Sequence, residues 1–415
     1  MDPSRFDSLE EALEKGGAPQ ALDLLAETLR EEKQFPQLFE ALLMKTRHEL
    51  GLPLSGNESL RDLPNELRDQ VEERYVETCR SVGSLFLGEG DIPGAWPYFR
   101  AIDEPRLVAE ALEEWKPRDD GDDGDDDGDG RSDDPDGDGD DTPDCDAIID
   151  IAFHQGANPE RGFELILSEY GTCRAITTFE HQFPYAAGVR EACGQKLVRR
   201  LYRELLEGLQ CDLERRGEEV PEDASVRSLV EGRSWLFEEH GYHVDMSHLQ
   251  SVVRAAATLR DEEVIGLAVH MCEYGRNLAR DLQTADQAPF DDFYNDYRIF
   301  LRALTGEGVD GAARFFTAKA ERHGLDESGN HFPGEVLVHL LDRTGRHEQA
   351  IEAYLKYLKD VAGPLQISPT LLELCERSGT YQSLLDVSRA KDDLLQYAAA
   401  LVKRREADGG GSEGD

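Results

Sequence analysis

The densest gathering of metal-capable side chains in this 415-residue sequence is His240, His243 and His248, with Glu239 and Asp245 among them. Imidazole nitrogens and carboxylate oxygens ligate zinc and iron, and a helix offers them to one ion when they stand three or four residues apart. Gly241 falls between His240 and His243 and breaks such a helix, so the spacing reads as a hairpin turn whose histidines serve surface or interhelical hydrogen bonds. A second candidate is Asp125-x-Asp127-x-Asp129-Gly130, with Asp136 where a calcium loop places its bidentate carboxylate. Its surroundings are so rich in Asp and Gly that composition alone produces the pattern; Pro135 interrupts it, and no Glu stands at the last ligand position. Loose cation binding is the expectation there. A third, Gly306-Glu-Gly-Val-Asp-Gly311, spells G-x-G-x-x-G, but a dinucleotide site needs a preceding strand. Residues 290–304 have helical spacing instead, and Glu307 and Asp310 would face a pyrophosphate with like charge, which leaves a helix-hairpin turn.

Nucleophile signatures are absent: there is no G-x-S-x-G, G-x-x-x-x-G-K-[ST] or H-E-x-x-H. Seven cysteines (Cys79, Cys145, Cys173, Cys193, Cys211, Cys272 and Cys375) form no CxxC pair, and an odd number cannot all be bridged within one chain, so reduced thiols are expected. Carboxylates are too numerous for any two to be singled out as acid and base. No catalytic, cofactor-binding or metal-ligating residue is assigned, and no cofactor is expected.

Charge narrows the partners. Asp and Glu number 87 against 45 Lys and Arg, a formal net charge of −42. Phosphate backbones are bound mostly through Lys and Arg releasing counterions, so nucleic acid is excluded as the expected partner. Residues 119–146 hold 16 Asp against Arg131 alone, a local charge of −15, and the rest of the chain carries −27. The first residues, Met1-Asp-Pro-Ser-Arg-Phe-Asp, are acidic where a secretory signal is basic and then apolar, and no apolar run approaches membrane-spanning length. The expectation is a cytoplasmic protein without membrane insertion.

The elements that carry these residues are helical throughout. Ala21, Leu22, Leu24, Leu25 and Leu29, then Leu38, Leu42 and Leu43, mark two amphipathic helices separated near Phe35-Pro36. Further helices are predicted at 65–88, 92–100, 104–115, 146–155, 159–169, 171–182, 186–216, 225–240, 247–259, 261–283, 290–304, 309–323, 333–343, 347–361, 368–377, 381–388 and 391–404. Aromatic residues Phe290, Phe293, Tyr294, Tyr297 and Phe300 share one helical face and are expected in the core, as are Trp96, Trp115 and Trp235. Residues 118–145 lack apolar periodicity and cannot offset their ordering entropy. The expected organisation is a helical region over 1–117, an Asp/Gly-rich disordered linker over 118–145, a second helical region over 146–406, and a disordered tail over 407–415.

A pattern recurs under these helices. A turn Gly is preceded by apolar residues four and eight positions earlier and followed by a small residue five later and a large apolar one nine later. It occurs as Val82, Phe86, Gly90, Ala95, Phe99; as Leu337, Leu341, Gly345, Ala350, Tyr354; and as Leu371, Cys375, Gly379, Leu384. Gly345 and Gly379 are 34 residues apart. Partial copies stand at Ala12, Gly16, Ala21, Leu25 and at Phe300, Leu304, Gly308, Ala313. These stretches resemble tetratricopeptide repeats, whose period is 34 residues and whose two helices pack antiparallel about a small residue. The resemblance covers about a third of the chain and is missing from 146–290. It implies an all-α fold of helical hairpin repeats, a tetratricopeptide-like α-solenoid interrupted by the acidic linker, and a groove for a basic or amphipathic protein partner. The expected function is a protein-interaction scaffold. Alternatives are an acidic, chaperone-like binder of a basic protein acting through the Asp-rich run, and a metalloprotein using the His240–His248 region.

Overall fold

Apolar residues spaced three and four apart give one buried stripe per helix, and every regular element among the described residues of this computed structural model is a helix. The described residues are 4–54, 63–117, 144–181, 183–283, 285–323, 330–361 and 363–409. Two compact units divide the chain at Glu169.

The first unit contains α1 (Ser4–Glu31), α2 (Phe35–Glu49), α3 (Asn65–Gly88), α4 (Ile92–Ala101), α5 (Arg106–Glu114), α6 (Cys145–Ile149), a π-helical turn (Asp150–His154) and α7 (Pro159–Glu169). Residues 146–169, which the sequence groups with the second helical region, fall in the first compact unit. Hydrogen bonds 45 residues apart and more tie them there: Arg161 donates to the carbonyls of Leu112 at 3.2 Å and Trp115 at 2.7 Å, and Asn158 donates to the Glu113 carboxylate at 2.7 Å. Arg161 thereby satisfies carbonyls at the end of α5. The linker expected over 118–145 lies outside the described residues up to position 143; the tail expected from Ala407 is helical through Gly409.

In the second unit are α8 (Gly171–His181), α9 (Ala187–Arg215), α10 (Val226–Val230), a 3-10 segment (Ser234–His240), α11 (Met246–Ala256), α12 (Glu262–Gly275), α13 (Phe293–Leu304), α14 (Val309–His323), α15 (Phe332–Arg343), α16 (His347–Tyr357), α17 (Leu371–Ser378), α18 (Gln382–Ala390) and α19 (Leu394–Gly409). Cys193, Leu197, Leu201, Leu205, Leu209 and Leu213 form one fully buried row along α9, against which α8, α11 and α12 pack. The helix predicted over 225–240 is broken in two at Gly232, which takes φ +73°, and its second piece is kinked again at Glu239, φ +53°.

The hairpin turns follow from local chemistry. At Gly345, φ +75°, the Arg346 amide donates to the Leu341 carbonyl at 2.8 Å and the Gly345 amide to Asp342 at 3.0 Å. This pair of bonds closes α15 and turns the chain into α16. Gly90 repeats it between α3 and α4, with φ +80° and bonds of 3.0 Å to Phe86 and Leu87. Ala95 and Ala350 are fully buried where the second helix of each pair meets the first. In the partial copies the turn shifts: the closing residue is Gly306, not Gly308, and α1 is interrupted at Gly17, not Gly16.

An added Cβ at Gly345 meets open space, so substitution there tests backbone strain alone. Gly345→Ala should cost about 1 kcal/mol in urea unfolding. Gly266→Ala, inside α12 and equally unobstructed, should instead stabilise by roughly 0.5–1 kcal/mol.

Candidate functional site

A groove of about 470 Å³ in the second unit runs between α14 and α16, floored by α15. Leu337 and Leu341 of α15, Ala313 of α14 and Ala353 of α16 make its apolar bottom. Asp310, Arg314 and Glu321 stand on one rim, and Arg346, Glu352 and Lys356 on the other. Arg346 pairs with Asp310 and holds its carboxyl below the usual carboxylate range, and Lys356 Nζ lies 3.1 Å from Glu321. The groove is therefore a greasy trough with crossed, mutually compensating charges, able to seat an apolar helix face but carrying no net sign.

Buried acids hold α15 in place. Glu335 is fully buried, and its Oε2 accepts hydrogen bonds from the backbone amides of Gln366 at 2.6 Å and Ile367 at 3.0 Å, while His331 Nε2 approaches Oε1 at 3.1 Å. Asp342 pairs with Arg377 of α17 and with His347 Nδ1 at 3.2 Å. One helix end is thereby tied to α16 and α17 together, which fixes the groove floor relative to one wall.

The histidine cluster does not converge. His240 is exposed and its Nε2 lies 3.1 Å from Asp281. His243 turns inward, with Nε2 3.3 Å from Asp212 and its backbone amide donating to the Tyr274 hydroxyl at 2.9 Å. The His248 amide donates to Asp245, which caps α11. No set of three His, Cys, Asp or Glu among the described residues is placed to hold a metal ion. Asp125, Asp127, Asp129 and Asp136 lie outside the described residues. Gly306 to Gly311 spans the α13–α14 turn and the first residues of α14, preceded by a helix, with Arg302 bonded to Glu307 at 2.7 Å.

All seven cysteines are unbridged; burial pushes the Cys145 and Cys375 thiols up to about 11, away from nucleophilic reactivity. The aromatic cluster is core: Phe290 and Tyr297 stack at 3.8 Å, and Phe300 and Phe316 meet edge to face. A smaller cavity of about 180 Å³ opens beside it, lined by Phe290, Tyr297, Phe300, His339 and the Arg254–Asp286 ion pair at 2.8 Å. In the first unit, Trp96 Nε1 and Arg100 both donate to Gln155 Oε1, at 2.6 and 2.7 Å, along a cleft of about 640 Å³ beside the π-helical turn. Trp235 lies under Arg216 at 3.8 Å, and Trp115 keeps its ring nitrogen buried.

One group escaped sequence reasoning. Asp296 is 1% exposed and binds Lys319 Nζ at 2.5 Å and the Asp292 amide at 2.9 Å. Burial raises its pKa above the ordinary Asp value in spite of Lys319. The signal was present: Asp296 sits among Phe293, Tyr297 and Phe300 on an otherwise apolar face. Lys319→Met should destabilise by about 3–5 kcal/mol by stranding that carboxylate, and adding Asp296→Leu should restore part of the loss in urea unfolding.

Histidines set an acid limit. Burial, with Arg343 beside it, pushes His339 from 6.5 to about 4, and burial lowers His243 and His270 as well. Between those values the unfolded chain binds protons that the folded chain refuses, so stability is full above pH 6.5 and falls as the pH drops toward 4. For His339 alone the loss is on the order of 3 kcal/mol. His339→Gln should flatten the decline in stability between those pH values, measured by denaturant titration.

No helix among the described residues is long and apolar enough to cross a membrane. Comparison with family models, curated proteins and solved structures finds no match to this chain.

Proposed function

We propose that this chain is a cytoplasmic protein-binding scaffold, a tetratricopeptide-like stack of helical hairpins whose α14–α16 groove takes an amphipathic segment of a partner protein. The observation that supports the reading is the groove itself: an apolar floor of Leu337, Leu341, Ala313 and Ala353 between charged rims is the complement of a helix with one apolar face. Three acids and three bases stand on those rims, so the bound segment is amphipathic rather than merely basic. The net charge of −42 acts at longer range, drawing a basic partner in and repelling nucleic acid, with a reach of about 10 Å at 0.1 M salt.

Ala318 and Gln349 are exposed and line the groove, so a large ring at either position fills it without touching the core. Helical peptides selected from an amphipathic library on the full chain should lose about tenfold or more in affinity for Ala318→Trp and Gln349→Trp. Unchanged affinity in both variants overturns the groove as the site. Deleting residues 119–145 should leave affinity within about twofold; its loss would place binding in the Asp-rich run instead.

A further inference from the structure

A cavity of about 180 Å³ inside the second unit is bounded by the end of α11, the segment 286–290, α13, α15 and the loop at 366–367. Glu335 accepts from two amides of that loop and so fixes one wall. The rings of Phe290, Tyr297 and Phe300 line the space, all buried and packed on one another, Phe290 against Tyr297 at 3.8 Å and against Phe300 at 5.9 Å. The aromatic wall is therefore preformed. Two polar groups on the wall are unmatched. Tyr297 is 5% exposed, and its hydroxyl makes no hydrogen bond among the described residues. Burial, with Asp286 nearby, raises its pKa above the ordinary tyrosine value, so it stays an O–H donor, and a buried donor is costly without an acceptor. His339 is held uncharged by burial and by Arg343, near the carbonyls of Ile367 and Ala257. An uncharged imidazole has a single N–H, so it answers only one of those carbonyls and keeps one nitrogen that only accepts. Charge at the mouth is already balanced, since Arg254 Nε donates to Asp286 at 2.8 Å.

We infer that this cavity binds a single uncharged aromatic ring bearing a carboxamide, whose carbonyl accepts from the Tyr297 hydroxyl and whose amide N–H donates to the His339 nitrogen. Size sets the one-ring limit: an apolar cavity of about 150 Å³ holds benzene, so the space here takes one ring and a small substituent. The aromatic wall favours a flat ring, which gains edge and stacking contacts that an aliphatic group forfeits. A carboxylate in place of the carboxamide would enter beside Asp286, where the only guanidinium on the wall is already engaged, and would have no N–H to give His339. The cavity shares no lining residue with the α14–α16 groove and does not depend on it.

Benzamide and benzoate share one shape and differ in charge and in the amide donor, so the pair tests the assignment. Ligand-observed NMR titration of the full chain at neutral pH should give saturable benzamide binding with a Kd of about 1 mM or tighter, and benzoate about tenfold weaker or more. Tyr297→Phe keeps the ring stack and removes the hydroxyl, and should weaken benzamide about fivefold or more. Ala257→Leu fills the cavity from the end of α11 and should abolish binding, whereas Ala318→Trp in the groove should leave it unchanged. Urea unfolding checks that each variant is folded, and Tyr297→Phe carries the test alone if Ala257→Leu is not. Benzamide that fails to saturate at about 10 mM overturns the inference and leaves the cavity to solvent. So does equal affinity for benzamide and benzoate, or benzamide binding undiminished in folded Tyr297→Phe.

Discussion

Helices in this protein approach one another where one of them has no side chain, and the rest of the architecture depends on that contact. A Cβ at Gly83 would stand 2.7 Å from the Phe99 ring, and one at Gly334 would stand 2.7 Å from Tyr357. Tyr294 lies over Gly275 in the same manner. In each case an aromatic residue occupies the hollow that glycine leaves, through its ring at Gly83 and Gly275 and through its Cβ at Gly334, so the pair packs closely at one point. The groove floor inherits this geometry, since Gly334 opens α15 against the end of α16. With α15 seated so deeply, Leu337 and Leu341 can form a floor while α14 and α16 rise on either side.

Desolvated carboxylates then fix what packing leaves free. Glu335, Asp296 and Asp342 are buried, and each joins segments distant in sequence: Glu335 holds the loop at 366–367, Asp296 reaches Lys319, and Asp342 reaches Arg377. A buried carboxylate is costly unless fully partnered, so such groups add little net stability but penalise any other arrangement of the loops they hold. The lowered His339 works in the same direction. It is tolerated uncharged against Phe300 and makes the folded state sensitive to acid.

Local chemistry was legible in the residues, and long-range chemistry was not. Helix positions and the turns at Gly90, Gly345 and Gly379 could be read because periodicity and a glycine's positive φ act within one or two turns of chain. The closing residue near 306–308 could not be chosen, because Gly306 and Gly308 both adopt positive φ and only the hydrogen bonds to Arg302 and Ala303 distinguish them. That residues 146–169 fall in the first compact unit was not legible, because the anchoring bonds of Asn158 and Arg161 span 45 residues or more. The His240–His248 cluster dispersed for a related reason: Asp212 and Tyr274, which draw His243 inward, lie 31 residues from it on either side. Two of the groove's floor residues, Leu337 and Leu341, were already marked by the repeat, whereas the pairing of its rim charges depends on contacts 35 and 36 residues apart.

Charge in this chain operates on two length scales with different consequences. Carboxylates outnumber cations almost two to one, so any approaching protein first meets a negative field that favours basic partners and falls off within about 8–10 Å at physiological salt. Within contact distance the field no longer describes the surface, because many of the scarce cations are already engaged: Arg346 by Asp310, Lys356 by Glu321, Arg343 by the Leu259 carbonyl, Arg161 by the end of α5. For the partner proposed above, selectivity would therefore come from the apolar floor and shape of the groove, while net charge would govern the rate of encounter.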